Sequence, residues 1–401
     1  MPRIHRVVVT GIGAVSSIGI GKDSFSNAIK ESRSGVSSLE IIDTNGFETH
    51  VGCEIKNFKS KDWVDLELED IGRASQFAVV GSVLALKDAR IDKKNLFGNV
   101  LVCIGTTEGE ALSVVNASRY LSQQKSIPLH YMNQLTANLL SINVLKKMGL
   151  KGKPVTISTA CSAGNYAIGY AFDNISRGLC QYALCGGAES ISRKAFAGFS
   201  RLGTISPEKC SPFDKNRKGI LTGEGAGILL LESLESAKRR RAHIYAEVIG
   251  YAINCDARHP VAPTQDRIEE CMIKALKNAN IQPNEVDYIS CHGTGTIAND
   301  RTEVAAIKSV FGDNPPPVSS LKSLIGHSMG AASALSCIAC ILAIEENFIP
   351  PTINYETFDE DCQIDCTPNI IRAARLNIVQ NNSFAFGGNN AILLLKRYGN
   401  E

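Results

Sequence analysis

The chain has 401 residues, of which 44% are hydrophobic and 20% charged, enough for a large buried core in two packed halves. Its net charge of +2 supplies no whole-chain field for nucleic acid or an anionic membrane, so we expect neither partner. The thirteen cysteines are an odd number and the start of the chain lacks a secretory apolar segment, so we predict a reduced, cytoplasmic protein. We also find no apolar stretch of the roughly 18–20 residues without polar groups that a membrane span requires.

Strand-like runs alternate with helical patterns along the chain, which predicts an α/β architecture with largely buried sheets. The clearest runs are residues 6–10, 228–231 and 391–395. A helix-like pattern over residues 233–242 carries Lys-Arg-Arg-Arg near its end, where cations complement the helix dipole. We place a boundary after this helix, which divides the chain into halves at residues 1–242 and 243–401.

Two pairs of segments indicate an internal duplication. The sequence Val-Cys-Ile-Gly-Thr-Thr at residues 102–107 matches Ser-Cys-His-Gly-Thr-Gly at residues 290–295, with Cys, Gly and Thr in register. Likewise, residues 154–164 and 317–332 each place a short strand-like run before a helix of small residues. The separation differs between the two pairs, so the duplication is divergent and the chain is not a solenoid of fixed period.

Cys161 follows a β-branched run that begins at Val155 and precedes a helical pattern over residues 165–171. This order predicts a strand, a sharp turn and a helix. A thiol at a helix N-terminus meets the positive end of the peptide dipoles, which favours the thiolate that attacks carbonyl groups. A lone cysteine is more often a buried packing residue. Two histidine segments further along the chain favour the reactive interpretation.

His292 comes directly after the strand-like residues 286–290 and before Gly-Thr-Gly-Thr. Open α/β sheets collect ligand-binding groups at the carboxyl ends of strands, and glycines let a ligand approach the chain, although a single such histidine is more often structural. His327 lies near a predicted helix N-terminus, where the dipole disfavours imidazolium and a neutral ring can donate one hydrogen bond. Lys322, five residues earlier, either pairs with an acid such as Glu303 or tunes the histidines electrostatically.

Cys337 and Cys340 have the Cys-x-x-Cys spacing of redox and zinc sites, but they lie in an apolar, helix-like run without a second such pair. Structural zinc needs four ligands, so we predict that these thiols are buried for packing. The same prediction applies to Cys362 and Cys366. We therefore expect no bound metal.

A turn rich in glycine and asparagine precedes the last predicted strand, at residues 382–390. In it Phe384 and Phe386 flank Ala385, and such a turn can supply a backbone N–H and an apolar gate, although the two rings taken alone would be core aromatics. A thiol, two neutral histidines and this turn together suit acyl chemistry, which needs a thiolate, an oxyanion hole and donors for a developing enolate.

With these motifs the chain resembles the elongating, type II β-ketoacyl-[acyl-carrier-protein] synthases, the KAS II-like condensing enzymes of the thiolase superfamily. The resemblance covers nearly the whole length. It rests on residues 6–13, 159–161, 185–189, 212–217, 223–227, 292–296, 322–327 and 382–386. It implies a thiolase-like fold, in which duplicated α/β halves form a five-layered αβαβα sandwich.

The resemblance also implies a role for each site residue. The nucleophile corresponds to Cys161, the catalytic histidines to His292 and His327, and the catalytic lysine to Lys322. The remaining positions are the oxyanion-hole amides of Cys161 and Phe386, the gate formed by Phe384, Ala385 and Phe386, the structural acid Glu303, and the substrate-proximal Thr294 and Thr296.

The implied reaction is a decarboxylative Claisen condensation of an acyl thioester with malonyl-acyl carrier protein, which gives a 3-oxoacyl-acyl carrier protein in fatty-acid elongation. No bound cofactor is expected, because the acyl carrier protein delivers its substrate on a phosphopantetheine arm. The resemblance implies a homodimer and leaves open a heteromeric partner.

Two departures from the pattern of the elongating relatives leave the identity of the acyl substrate open. Many elongating relatives have glycine where this chain has Ala385, and the segment at residues 66–70 is acidic where some fatty-acid relatives present basic residues to the carrier. The chain could therefore be a ketosynthase of a secondary-metabolite type II polyketide or polyene pathway. The candidate carrier-docking cations are Arg73, Lys125, Arg201 and residues 238–241.

Two rival interpretations share the predicted architecture, and a third shares the predicted partner, the acyl carrier protein. A thiolase would carry a second cysteine near the C-terminus, and residues 382–390 contain none. A chain-length partner subunit typically lacks the nucleophile that is present here as Cys161. A noncatalytic acyl-carrier-binding scaffold would not need Cys161, His292 and His327 together.

Overall fold

The computed structural model describes residues 5–96 and 100–399. The strands are β1 Val7–Ser16, β2 Gly19–Ile20, β3 Ser37–Ser38, β4 Val51–Gly52, β5 Val100–Gly105, β6 Gly152–Ile157, β7 Tyr182–Glu189, β8 Gly225–Ser233, β9 Ala246–Cys255, β10 Tyr288–Ser290, β11 Val318–Ser319, β12 Phe348–Ile349, β13 Arg372–Ala373, β14 Ile378–Phe384 and β15 Asn389–Arg397. The helices are α1 Lys22–Lys30, α2 Arg73–Asp88, α3 Ala111–Ser122, α4 Leu129–Met132, α5 Leu139–Met148, α6 Ala163–Ser176, α7 Arg193–Arg201, α8 Leu234–Arg239, α9 Gln265–Ala279, α10 Ile297–Phe311, α11 Lys322–Ile325 and α12 Ala332–Glu346. Short 3-10 turns lie at Ser60–Asp62, Lys93–Leu96, Ala160–Ser162, Pro283–Glu285, Met329–Ala331 and Glu360–Cys362.

Five strands of each half form the same arrangement. The N-terminal half has the order β1, β8, β7, β5, β6, and the C-terminal half has the order β9, β15, β14, β10, β11. In both orders the first two pairs of neighbours are antiparallel and the last two are parallel. The shared topology confirms the predicted duplication. The exact division at residues 242 and 243 stays a prediction.

The two halves meet where β1 pairs with β9, from Val7 opposite Val248 to Val9 opposite Ala246. With β2 attached to β1, the hydrogen-bonded sheet has 11 strands. Helices α6 and α12 pack against each other and against strands of both halves. Outside them, α2 and α5 cover the N-terminal strands, while α9 covers the C-terminal strands and α10 packs beside it in the same hydrophobic core. These are the five alternating layers that the family resemblance implies.

The first strand is longer than its aliphatic run indicates, because β1 continues through Gly11 and Gly13. A Cβ on Gly11 would lie 2.2 Å from the carbonyl oxygen of Ala85, and one on Gly13 would lie 1.8 Å from that of Gly81. Both oxygens belong to α2, so glycine is what lets this helix approach the strand. The strand also has an irregular register against β8 between Val9 and Gly11.

Two segments near the predicted site differ from expectation. The strand-like run that begins at residue 317 contributes only β11, after which Lys322–Ile325 is helical and the Ser320 N–H bonds the Thr352 side chain at 3.0 Å. The predicted turn at residues 382–390 is shorter, because β14 and β15 remain paired up to Phe384 opposite Asn390. The turn proper is residues 385–388.

The core helix is unusually apolar. The continuous helical stretch Met329–Glu346 has 18 residues and is long and apolar enough to cross a membrane by length and composition. It is not free of polar groups, because it contains Ser333, Ser336, Glu345 and Glu346. However, 89% of it is buried inside the protein, as in the core helix of a globular fold. Cys337 and Cys340 lie on this helix in the core, and Cys362 and Cys366 are also buried in packing positions.

We expect Gly13→Ala to lower the free energy of unfolding by about 1–3 kcal/mol, because the added methyl group overpacks the contact with α2. Urea denaturation followed by circular dichroism measures the change. Gly198→Ala in α7 is the control: a Cβ there meets nothing within 4 Å, and alanine is favoured in a helix by roughly 0.5–1 kcal/mol. Equal stability of the two variants would contradict the close packing of α2 on β1.

Candidate active site

The structure brings the predicted site residues together around one cavity of about 180 Å³. Cys161 comes from the N-terminal half, and His292 and His327 come from the C-terminal half. The other predicted residues that line it are Thr294, Thr296, Phe384, Ala385 and Phe386. Lys322 and Glu303 lie behind the histidines and are not on the cavity wall.

Cys161 lies in the 3-10 turn Ala160–Ser162, immediately before α6, where strand, turn and helix were predicted. The preceding Ala160 has a left-handed φ of 50°, which turns the chain sharply at the nucleophile. The Ser383 hydroxyl donates a hydrogen bond to the Cys161 carbonyl oxygen at 3.1 Å. This contact ties the turn to β14, the strand that leads to the predicted gate.

The predicted resting thiolate is wrong. Cys161 is only 5% exposed, and burial raises the pKa of its thiol to about 11. The charge of Lys322 and the backbone N–H groups of Phe386 and Cys161 oppose this rise. Desolvation outweighs these groups and the helix dipole together, so the resting side chain is a thiol at neutral pH. Both amides predicted for the oxyanion hole are thus among the groups that lower the pKa of this thiol.

Hydrogen bonds fix both the backbone and the ring of His292. Its backbone N–H and that of Gly293 each donate to the Glu303 carboxylate at 2.8 Å. Lys322 Nζ lies 2.5 Å from the His292 carbonyl oxygen and 3.4 Å from Nδ1 of the ring. Because the ammonium can only donate, Nδ1 is the acceptor and Nε2 carries the hydrogen. Asn382 also donates to Glu303, at 3.1 Å.

His327 has the same tautomer. Its Nδ1 accepts a hydrogen bond from the Met329 backbone N–H at 3.0 Å, so Nε2 is again the donor. The two imidazole centroids are 5.6 Å apart with the rings nearly perpendicular. Burial, and then the charge of Lys322, lowers the pKa of both rings well below the usual value for histidine. Both are therefore neutral donors at physiological pH, as predicted for His327.

Lys322 resolves the two alternatives left by the sequence. It forms no ion pair within 4.0 Å of Glu303 among the described residues, so direct pairing is wrong, whereas its contacts with His292 support electrostatic tuning. It is 4% exposed, and burial lowers the pKa of its ammonium, while Glu303 and Cys161 act in the opposite sense. A single buried cation thus acts on the thiol and on both rings.

The two phenylalanines of the turn differ in their surroundings. Phe384 is buried in the core of the C-terminal half and lies 5.6 Å from His292, centroid to centroid. Phe386 is half-buried and packs against Phe199 at 5.5 Å. The core interpretation therefore holds for Phe384, which also forms part of the cavity wall. Gly387 and Gly388 have φ values of 82° and 78°, which glycine adopts readily.

About half of the cavity wall comes from residues outside the sequence motifs. The additional lining residues are Phe199, Thr204, Ile220, His259, Val261, Ala262, Pro263, Ala298 and Asn299. Several belong to the loop that follows β9, in which the Pro260 carbonyl oxygen accepts a hydrogen bond from Gly387 at 2.8 Å. The two prolines of this loop, Pro260 and Pro263, were the available signal in the sequence.

The candidate docking cations fall into two groups. Arg73 makes two hydrogen bonds to the buried Glu224, and Arg240 is likewise paired with the buried Glu232. Both arginines therefore stabilise the fold and do not dock the carrier. Lys125 and Arg201 are exposed. Arg201 is the last residue of α7, which also carries the cavity residue Phe199.

Two family models match the chain: "Beta-ketoacyl synthase, N-terminal domain" over residues 5–237 and "Beta-ketoacyl synthase, C-terminal domain" over residues 245–356. The chain belongs to the β-ketoacyl synthase family. The predicted enzyme class is thereby confirmed: this synthase is an acyltransferase-type condensing enzyme that forms 3-oxoacyl products.

Relatives of this synthase resemble it over nearly its full length. The 3-oxoacyl-[acyl-carrier-protein] synthase 2 of Synechocystis sp. is 37% identical over 414 residues, which cover 98% of each chain. Among solved structures, the ishigamide ketosynthase/chain length factor matches with a TM-score of 0.97 and 46% identity, over 99% of this chain and 100% of that one. A type II PKS acyl-carrier protein in complex with its ketosynthase matches with a TM-score of 0.91 and 32% identity, over 99% and 100%. These matches confirm the thiolase-like ketosynthase fold.

We expect the alkylation of Cys161 by iodoacetamide to accelerate about tenfold per pH unit from pH 7 to 10, because its pKa of about 11 leaves little thiolate at neutral pH. Peptide mass mapping separates Cys161 from the exposed Cys255. Lys322→Met should slow the reaction further, whereas Lys277→Met on the exposed face of α9 should not. A rate that levels off near pH 7 would contradict a protonated resting thiol.

Proposed function

We propose that this synthase elongates fatty-acyl chains by decarboxylative Claisen condensation of a Cys161-bound acyl group with malonyl-acyl carrier protein. The observation that carries the proposal is one buried cavity in which a thiol faces two neutral imidazoles with Nε2–H donors. Such donors suit the oxygen of an enolate, because they stabilise negative charge without protonating it.

In the first half-reaction Cys161 attacks the carbonyl carbon of an acyl thioester. The new C–S bond replaces the bond to the pantetheine sulfur, and the proton lost by Cys161 balances the one gained by the released pantetheine thiol. Lys322 lowers the free energy of forming the thiolate, since its charge opposes the effect of burial on the Cys161 pKa. The amides of Cys161 and Phe386, which oppose the rise in the pKa of the thiol, stabilise the tetrahedral oxyanion.

In the second half-reaction malonyl thioester occupies the cavity with its carbonyl oxygen at His292 and His327. The bond to the carboxylate breaks, carbon dioxide leaves, and the electron pair becomes an enolate held by the two Nε2–H groups. The enolate carbon attacks the acyl carbonyl, and Cys161 departs as a thiolate that takes up one proton from solvent. Glu303 fixes the His292 backbone and does not exchange a proton.

We assign this cavity to the arm of a carrier protein. Thr294 and Thr296 place two hydroxyls 2.8 Å apart on its wall and are available to the amides of a phosphopantetheine arm. Phe386, on the turn with Ala385, would gate the entrance to Cys161. The chemistry assigned to this chain uses only its own side chains and the thioesters that the carrier brings.

We further propose a cytoplasmic homodimer. Strand β6 pairs only with β5 in the part of the chain described, and its residues are exposed or half-exposed, so one edge of the 11-stranded sheet is open. Open edges favour pairing with a second chain. Two copies of β6 could therefore continue the sheet across a two-fold axis.

A second candidate function is supported by a specific match. The identity to the ishigamide ketosynthase/chain length factor, 46%, exceeds the 37% to the Synechocystis synthase. A polyene or polyketide ketosynthase with a heteromeric partner in place of the second copy would use the same condensing chemistry. Mass analysis of products from malonyl carrier and a panel of acyl carriers, with and without co-expressed partner subunits, separates the two functions.

We expect Cys161→Ala to abolish acyl-enzyme formation, while His292→Ala and His327→Ala retain acylation and lose about 100-fold or more in decarboxylation, the effect of removing an oxyanion donor. Intact mass after incubation with acyl carrier reports the first step, and carbon dioxide release from malonyl carrier reports the second. An adduct of equal size on Cys161→Ala would support the noncatalytic scaffold instead.

We expect Arg201→Glu to raise the Michaelis constant for the carrier substrate several-fold without changing kcat, because carrier proteins are acidic and the residue ends the helix that carries the cavity residue Phe199. The charge reversal Lys277→Glu on α9 is the matched control and should leave both constants unchanged. An unaltered Michaelis constant in Arg201→Glu would exclude docking at the end of α7.

A further inference from the structure

A buried carboxylate outside the site described above connects the two halves. Glu189, the last residue of β7, is 2% exposed. From the N-terminal half it accepts hydrogen bonds from the Thr106 hydroxyl at 3.1 Å and from the backbone N–H groups of Thr107 at 2.5 Å and Glu108 at 3.3 Å. From the C-terminal half it accepts one from the Gly330 backbone N–H at 3.1 Å. Glu189 thus joins the loop after β5 to the turn that follows His327.

We propose that Glu189 is a positioning residue for His327, acting through the Met329–Ala331 turn. The His327 backbone is fixed on one side, where its N–H bonds the Leu221 carbonyl oxygen at 2.6 Å and its own carbonyl accepts from Gly223 at 2.9 Å. The ring is fixed on the other side by the Met329 N–H. The position of that N–H depends on the next peptide, whose N–H is the one bound to Glu189.

The Met329 backbone has a strained conformation that neighbouring contacts must stabilise. Its φ of 46° lies in the left-handed region, which is strained for a non-glycine residue. A Cβ on Gly330 would lie 2.4 Å from the Cα of Thr106, and one on Gly187 would lie 2.1 Å from the Gly330 carbonyl oxygen. The turn is therefore pressed against β7 and the loop after β5, and Glu189 is the hydrogen-bond acceptor at this contact.

The electrostatics of Glu189 agree with a functional role. Burial raises the pKa of its carboxyl to about 7, against the N–H groups of Thr107 and Gly330 that lower it, and Glu108 adds a second negative charge nearby. Its charge also acts on Cys161, whose pKa it raises. A desolvated carboxylate close to a catalytic thiol is unfavourable for both groups, and such perturbed groups concentrate at functional sites.

The inference rests on the proposed function, because it assigns Glu189 to the decarboxylation step that uses His327. In Glu189→Gln one acceptor oxygen becomes an N–H₂ donor that faces backbone donors, so the turn shifts and the His327 ring loses its alignment. A displacement of about 1 Å at a catalytic group can cost about 100-fold in rate. Acylation of Cys161 does not use the His327 donor, so the two half-reactions should separate.

We expect Glu189→Gln to reduce carbon dioxide release from malonyl carrier by about tenfold to 100-fold while the rate of Cys161 acylation changes less than about threefold. Glu110→Gln is the matched control: this buried carboxylate accepts the N–H groups of Ala74 and Ser75 at the start of α2 and does not contact the turn. It should lower the melting temperature and leave the ratio of the two rates unchanged.

Two outcomes would overturn the proposal: an unchanged ratio in Glu189→Gln, or equal losses in both half-reactions that follow the loss of melting temperature. If Glu189→Gln does not fold, Glu189→Asp keeps the charge, withdraws the acceptor by one methylene and should show the same selective loss. Imidazole ¹⁵N spectra should show a changed Nδ1 signal for His327 but not for His292 in either variant. Failure of the proposed function would appear independently, as an unchanged acyl adduct on Cys161→Ala.

Discussion

Desolvation of a thiol, two imidazoles and an ammonium in a single pocket sets the protonation state of every group in the site. Burial keeps the Cys161 thiol protonated and both histidines neutral, and the buried ammonium of Lys322 acts on all three. If water entered this pocket, the imidazoles would regain much of their basicity. Neutral donors are what an enolate needs, so the closed packing of the two halves is itself a condition for the chemistry.

The internal duplication explains how the pocket is assembled. In each half a left-handed residue, Ala160 or Met329, opens a 3-10 turn that leads into a central helix, α6 or α12. In the N-terminal half this turn presents a nucleophile at Cys161. In the C-terminal half the equivalent place is Gly330, whose N–H binds a carboxylate while the preceding residues present His327. The same turn-and-helix unit thus presents the nucleophile in one half and positions His327 in the other.

The parts of the wall that face a substrate come mainly from loops. The loop after β9, the end of α7 and the turn at residues 385–388 meet at the cavity, and the Gly387 N–H joins two of them through the Pro260 carbonyl oxygen. Loops tolerate exchange of side chains more readily than the core strands do. The acyl preference of relatives with the same thiol and histidines can therefore diverge while the condensing chemistry is retained.

The sequence alone determined the α/β class, the duplication, the family and the positions of Cys161, His292, His327 and Lys322, because short motifs and periodicity are local properties of the chain. It gave the wrong protonation state for Cys161, since the helix dipole is visible in a motif but desolvation depends on everything packed around the sulfur. The tertiary structure alone decided that Lys322 contacts His292 and not Glu303, that Arg73 is committed to Glu224, and that Glu189 spans both halves. Each of these rests on contacts between residues far apart in the chain, whose distances no spacing along the sequence encodes.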